Sequence, residues 1–227
     1  GMKILVAEDN DFNRNLICAV VEIEGGEVIA ARDGVEALRE MNARPVDLVL
    51  MDLNMPRLDG RQALREMRRS DLVIAKLPVI ALTAEVFEDD DHGLLEEGFD
   101  RALFKPLDEV LLINTIVELL AGSLDRTEQI QPVTKTKRSF LSALPAEILE
   151  QEIARQLRLL SVAQQNQDVK GVREQAHQLR SVLYGVEDSE GIVAMVQRLE
   201  LACDGADIEG ITGVFLELEK KLRRSSG

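Results

Sequence analysis

Leu48-Val49-Leu50-Met51-Asp52-Leu53-Asn54-Met55-Pro56 is an apolar run that ends on a single carboxylate, Asp52. Four apolar residues without alternation read as a strand buried on both faces, as in a parallel sheet. Chemistry in such sheets gathers at the carboxyl ends of the strands. Three more runs end alike: Lys3-Ile4-Leu5-Val6-Ala7 on Glu8-Asp9, Pro78-Val79-Ile80-Ala81-Leu82 on Thr83, and Arg101-Ala102-Leu103-Phe104 on Lys105-Pro106. If the strands lie parallel and adjacent, three carboxylates, a hydroxyl and an ammonium converge on one rim.

The intervening segments carry helical spacing. Phe12, Leu16, Ile17, Val20, Val21 and Ile23 predict a helix over residues 10–24, closed by Gly25-Gly26. A short strand over 28–31 follows, then a helix opened by Asp33-Gly34 and closed by Pro45. A basic helix is expected over 57–69, an acidic one over 85–97 closed by Gly98, and a last one over 107–121. Five strands alternating with five helices make an α/β domain, a doubly wound five-stranded parallel sheet covered on both faces.

The rim then has chemistry of its own. Glu8, Asp9 and Asp52 are hard oxygen ligands too concentrated to stay ionised together without a cation, and a few carboxylates plus waters are what Mg²⁺ accepts. Asp52 is placed to attack phosphorus, with Lys105 and Thr83 holding the other phosphoryl oxygens, to give an aspartyl phosphate. A flavin-binding reading of the same fold fails, because the loop after the first strand offers Glu8-Asp9 where a phosphate wants amides and hydroxyls.

Charge and composition narrow the partners. The net charge of −14 with 3% aromatic residues argues against a nucleic-acid partner. Residues 1–122 hold 13 Lys+Arg against 25 Asp+Glu, so the acidity belongs to the first half. No run approaches the roughly 18 to 20 apolar residues of a membrane span, and no signal segment opens the sequence. The expectation is a cytoplasmic chain without direct membrane contact. Cys18 and Cys203 are isolated within amphipathic patterns and read as buried small hydrophobes.

These residues resemble the receiver domains of two-component response regulators, over roughly residues 2–121. Glu8-Asp9 is similar to the acidic pair, Asp52 to the phosphoacceptor, Met55-Pro56 and Asp59-Gly60 to the loop after it, Ala81-Leu82-Thr83-Ala84 to the switch-hydroxyl segment, and Lys105-Pro106 to the family's lysine and proline. Glu8-Asp9-Asn10 with Asn13-Arg14 resembles the variant common in bacterial hybrid sensor kinases. The resemblance implies a flavodoxin-like strand order of 2-1-3-4-5, with the Asn54 backbone carbonyl completing the metal site. Ala102 stands where the family often has an aromatic ring, which favours a receiver that passes phosphoryl on over one that drives an output surface.

Residues 122–142 are rich in Ser, Thr, Gln, Pro and Lys, lack periodicity and read as a linker with an end-to-end distance of about 25 Å. Over 143–227 four helices are expected, in an all-α four-helix bundle. The first is expected to bury Ile148, Ile153, Leu157 and Leu160, the second Val169, Val172, Ala176, Leu179, Leu183 and Val186. The third is expected to bury Ile192, Met195, Val196, Leu199 and Cys203, the fourth Ile208, Ile211, Phe215, Leu218 and Leu222. His177 lies about 130° from the apolar seam of its helix and should reach solvent, with Arg180 and Ser181 on its face. An exposed imidazole beside a guanidinium suits a phosphate acceptor. His177-Gln178-Leu179-Arg180-Ser181 resembles the His-x-Leu-Lys-Gly motif of histidine phosphotransfer (Hpt) domains, with Arg for Lys and Ser for Gly. His92, the arginines Arg65, Arg68 and Arg69, and Asp89-Asp90-Asp91 read as solvated surface.

The sequence thus points to a phosphorelay protein: phosphoryl passes from a sensor histidine kinase to Asp52, to His177, and on to a downstream response regulator receiver. It is no ATP-dependent kinase by itself, because it has no glycine-rich nucleotide loop. An aspartyl-phosphate phosphatase would need an acid where Asn54 stands. The alternative is a binding module regulated by Asp52 phosphorylation, its bundle a degenerate adaptor. Either a whole protein or the tail of a hybrid kinase fits these residues.

Overall fold

The computed structural model describes residues 1–84, 91–122, 144–183, 186 and 189–225, divided into two compact units at Ser139 and Phe140. The linker expected after residue 122 lies outside the described residues, as do residues 85–90 of the expected acidic helix and the side chains of Asp91, His92 and Leu222.

The first unit is built on strands β1 (Lys3–Ala7), β2 (Glu27–Ala31), β3 (Leu48–Asp52), β4 (Val79–Thr83) and β5 (Arg101–Phe104), all parallel in the order β2-β1-β3-β4-β5. Helices α1 (Asp11–Ile23), α2 (Gly34–Ala43), α3 (Gly60–Arg69), α4 (Asp91–Glu97) and α5 (Glu109–Leu120) alternate with them. Every residue of β3 and β4 is buried, which is why their sequences show no alternation. Alternate side chains serve opposite faces: Leu5, Ala7, Val49, Met51, Val79 and Ala81 join one core with Ala37 and Met41 of α2, Ala63, Leu64 and Met67 of α3, and Ala102. Ile4, Val6, Leu48, Leu50, Ile80 and Leu82 are equally buried on the other face.

Short polar residues set the helix starts. Asn10, Asp33 and Asp108 each cap a helix by accepting the amide three residues on. Helix α3 begins three residues later than its amphipathic pattern suggests. Arg57 sits in the left-handed region at φ 64°, and Asp59 forms a capping box with Gln62. A 3-10 turn, Val73–Lys76, lies between α3 and β4, where the sequence carries no periodic pattern. Arg68 is no solvated charge either: it donates to the carbonyls of Ala75, Leu77 and Gly98 and pairs with Asp100 at 3.0 Å, tying α3 to both segments.

The second unit contains helices α6 (Ala146–Gln165), α7 (Val169–Leu183), α8 (Glu190–Asp204) and α9 (Ile208–Ser225). The α6–α7 and α8–α9 connections repeat one design: Gln167 (φ 55°) and Ala206 (φ 51°) reverse the chain, and Asp168 and Asp207 cap the next helix by accepting from Gly171 and Gly210. Leu160, Val172, Ala176, Leu179, Val196, Leu199, Phe215 and Leu218 share one core. Two expected core positions at helix starts are exposed, Ile148 at 45% and Ile208 at 56%. Cys203 is buried, while Cys18 is only partly so. Desolvation pushes both thiols up to about 11.

Two glycine substitutions test this packing. A Cβ on Gly60 would lie 2.2 Å from the Asp52 carbonyl oxygen, whereas one on Gly213, inside α9, meets nothing within 4 Å. Urea unfolding should show Gly60→Ala destabilised by about 1–3 kcal/mol and Gly213→Ala stabilised by about 0.5–1 kcal/mol.

Candidate functional site

The strand order reverses between β1 and β3, and such a switch point leaves a crevice at the carboxyl ends of the strands. Ala7 pairs with Met51 and Asp52 with Leu82, so Glu8 emerges beside Asp52, with Thr83 one strand further on. Phe104 pairs with Thr83, which brings Lys105 to the same rim, where its amide donates to the Thr83 carbonyl at 2.7 Å. Glu8, Asp52 and Thr83 are at most 2% exposed.

The Lys105 ammonium sits between two carboxylates, donating to Glu8 Oε2 at 2.7 Å and to Asp52 Oδ2 at 2.8 Å. Asp52 Oδ1 accepts from the Asn54 amide at 3.1 Å, so both of its oxygens are held. One ammonium does not balance this rim. Burial, then the charges of Asp52 and Asp9, push the Glu8 carboxyl up to about 8 against the pull of Lys105. For Lys105, burial acts to lower the pKa, but Asp52 and Glu8 outweigh it and hold the ammonium above the usual lysine range.

A divalent cation fits this donor set. One oxygen from each of Glu8, Asp9 and Asp52 lies within 4.8 Å of the others. Glu8 Oε1 is buried with no hydrogen-bond partner, a cost that a cation would remove. The donors are all hard oxygens, as Mg²⁺ prefers. Asp9 is the least buried of the three and opens the site to solvent.

His177, in the second unit, departs from expectation. Its side chain is only 19% exposed, and Nε2 has almost no accessible surface. Glu200, from α8, lies 3.4 Å from Nδ1 and pairs with Arg180 Nε at 3.1 Å, while Arg180 Nη2 is 3.3 Å from Nδ1. The neighbouring helix, which a single-helix projection leaves out, thus places a carboxylate against the ring. Ser181 is 6% exposed and lies in the packed interior. Nothing in the sequence around Glu200 marks it as the partner of His177.

Removing the central cation tests the charge balance. In chelator, Lys105→Met should lower stability toward urea by about 3–5 kcal/mol, because it leaves Glu8 and Asp52 buried and unpaired. Asp52→Asn, which removes one of the crowded charges, should leave the unfolding midpoint unchanged or raise it.

The family model of the response regulator receiver domain matches residues 4–117. The sensor histidine kinase GacS of Pseudomonas protegens is 36% identical over 118 residues, 51% of this chain and 13% of its own length. Histidine kinase 1 of Arabidopsis thaliana is 29% identical over 161 residues, 56% of this chain and again 13% of its own length. Among solved structures, the receiver domain of the Francisella response regulator 1452 is 31% identical with a TM-score of 0.51, covering 55% of this chain and 100% of that one. A receiver domain of a signal transduction histidine kinase from Syntrophus aciditrophicus is 30% identical with a TM-score of 0.50, covering 59% and 100%.

Proposed function

Because the chain belongs to the response regulator receiver domain family through residues 4–117, we propose that it is a phosphorelay protein in which Asp52 accepts a phosphoryl group from a kinase phosphohistidine. The observation that carries this reading is the Lys105 ammonium held on Asp52 and Glu8 at the switch point of the sheet.

An Asp52 oxygen attacks phosphorus, a P–O bond forms, the P–N bond to the donor imidazole breaks, and its electron pair returns to the ring. The Asn54 amide on Oδ1 and Lys105 on Oδ2 fix the carboxylate for attack. As charge arrives on the phosphoryl oxygens, Lys105 pairs with one of them, and the Thr83 hydroxyl, on the next strand end, serves another. Glu8, Asp9, Asp52 and the Asn54 carbonyl would hold Mg²⁺, which supplies positive charge against the phosphoryl oxygens. The donor is a sensor histidine kinase, so the reaction belongs to the cytoplasm, where ATP charges that kinase. Among the described residues no helix is long and apolar enough to cross a membrane.

The second unit is assigned to histidine phosphotransfer. Its support is the His177-Gln178-Leu179-Arg180-Ser181 motif on α7, with Arg180 beside the ring, in a set of four helices around one core. Phosphoryl then passes from Asp52 to His177, breaking the acyl P–O bond and forming P–N, and from there to an aspartate of a downstream response regulator. Nε2 has almost no accessible surface, so transfer to it requires the surroundings of the ring to open. That same shielding favours the second reading, in which the helices are an adaptor and Asp52 alone is phosphorylated.

Incubation with Mg²⁺ and a radiolabelled phospho-donor kinase separates the two. In the relay, the wild type carries acid-labile, alkali-stable label that is lost in both Asp52→Asn and His177→Gln. Alkali-labile label that needs Asp52 and is untouched by His177→Gln assigns the helices to the adaptor role. No Asp52-dependent label at all overturns the acceptor reading.

A further inference from the structure

We propose that Arg14 is a positioning residue for the cation site, its buried guanidinium holding the Glu8–Asp9 loop so that both carboxylates share one metal-sized space with Asp52. The inference rests on the reading above that these three residues hold Mg²⁺.

Arg14 projects from the first turn of α1 and is 8% exposed. Its Nη1 donates to the Glu8 carbonyl at 2.7 Å and, more weakly, to the Asp9 carbonyl at 3.5 Å, while Nη2 pairs with the Asp11 carboxylate. Four residues earlier, at the start of α1, Asn10, 1% exposed, accepts from the Asn13 amide at 2.9 Å. The backbone between β1 and α1 is therefore tied from the helix side at consecutive residues.

That loop needs tying. Glu8 and Asp9 repel each other and Asp52, and a loop free to relax would turn the more exposed Asp9 out to water and dissolve the ligand set. A planar guanidinium can reach carbonyls and a carboxylate at once from fixed directions, which a lysine ammonium cannot. The charge of Arg14 acts in the opposite sense, because a buried cation near the site repels a metal. If Arg14 mattered only through its charge, removing it would tighten metal binding. If it positions the loop, removing it loosens binding, and so does replacing it by a lysine that keeps the charge.

The test uses the full chain and Mn²⁺, which takes the same hard oxygen donors. Free Mn²⁺ is followed by its electron paramagnetic resonance signal and Mg²⁺ by competition, for the wild type, Arg14→Lys, Arg14→Met and Asp9→Asn. Far-ultraviolet circular dichroism and urea midpoints in chelator establish that each variant is folded. The expected result is a Kd raised about tenfold in Arg14→Lys and at least as much in Arg14→Met, the scale of an outer-sphere loss. Should Arg14→Met fail to fold, Arg14→Lys carries the test with Asp11→Asn, which weakens only the Nη2 contact and should raise Kd about threefold. Unchanged or tighter binding in the folded Arg14 variants overturns the inference. A wild type that binds Mn²⁺ no better than Asp9→Asn overturns the metal reading itself, and this inference with it.

Discussion

Crowding of like charge at one end of the sheet is the constraint on which the first unit turns. A parallel register puts Glu8 beside Asp52, and both carboxylates are buried there. Lys105 relieves the repulsion only in part, since one ammonium serves both groups and Glu8 still holds its proton more tightly than a free carboxyl. Apolar burial beneath the rim keeps it in place: β3 and β4 are covered on both faces, and their hydrophobic contribution is of order 25 cal/mol per Å² removed from water. The site is thus a local electrostatic cost carried by the core under it.

Much of this architecture is legible in sequence because it depends on short-range pattern. Unalternated runs such as Val79–Thr83 mark buried parallel strands, Asp33 marks a helix start, and a polar residue at the end of each run marks the rim. What sequence does not display is pairing between distant residues. Arg68 looks like one more charge on a basic helix, yet its acceptors lie within and just after the 3-10 turn and before β5. Likewise the late start of α3 follows from the left-handed Arg57 and its pairing with Asp33, 24 residues away.

The second unit illustrates the same limit at a candidate site. Projecting α7 as an isolated cylinder places His177 away from its apolar seam, and that projection is correct for α7 alone. It omits Glu200, which α8 brings to within 3.4 Å of the ring and which pairs with Arg180 beside it. Periodicity reports which face of a helix is apolar; it says nothing about a polar partner reaching over the edge of the seam. The exposed Ile148 and Ile208 fail in the opposite direction, because periodic spacing continues into helix ends that the described residues leave exposed.

In the proposed relay the two histidine- and aspartate-centred sites solve opposite problems. Asp52 starts in an excess of negative charge, and a phosphoryl group replaces its one carboxylate charge with roughly two at neutral pH. Lys105 holds both Asp52 and Glu8, and the other Glu8 oxygen lacks a partner, so phosphoryl acceptance and cation binding draw on the same few groups. His177 instead begins within a balanced cluster, where Arg180 and Glu200 satisfy each other. If Arg180 is to meet the incoming phosphoryl oxygens, its guanidinium has to leave Glu200. The arriving charge therefore favours the first site by drawing cations toward it, and the second by breaking an ion pair that already holds one there.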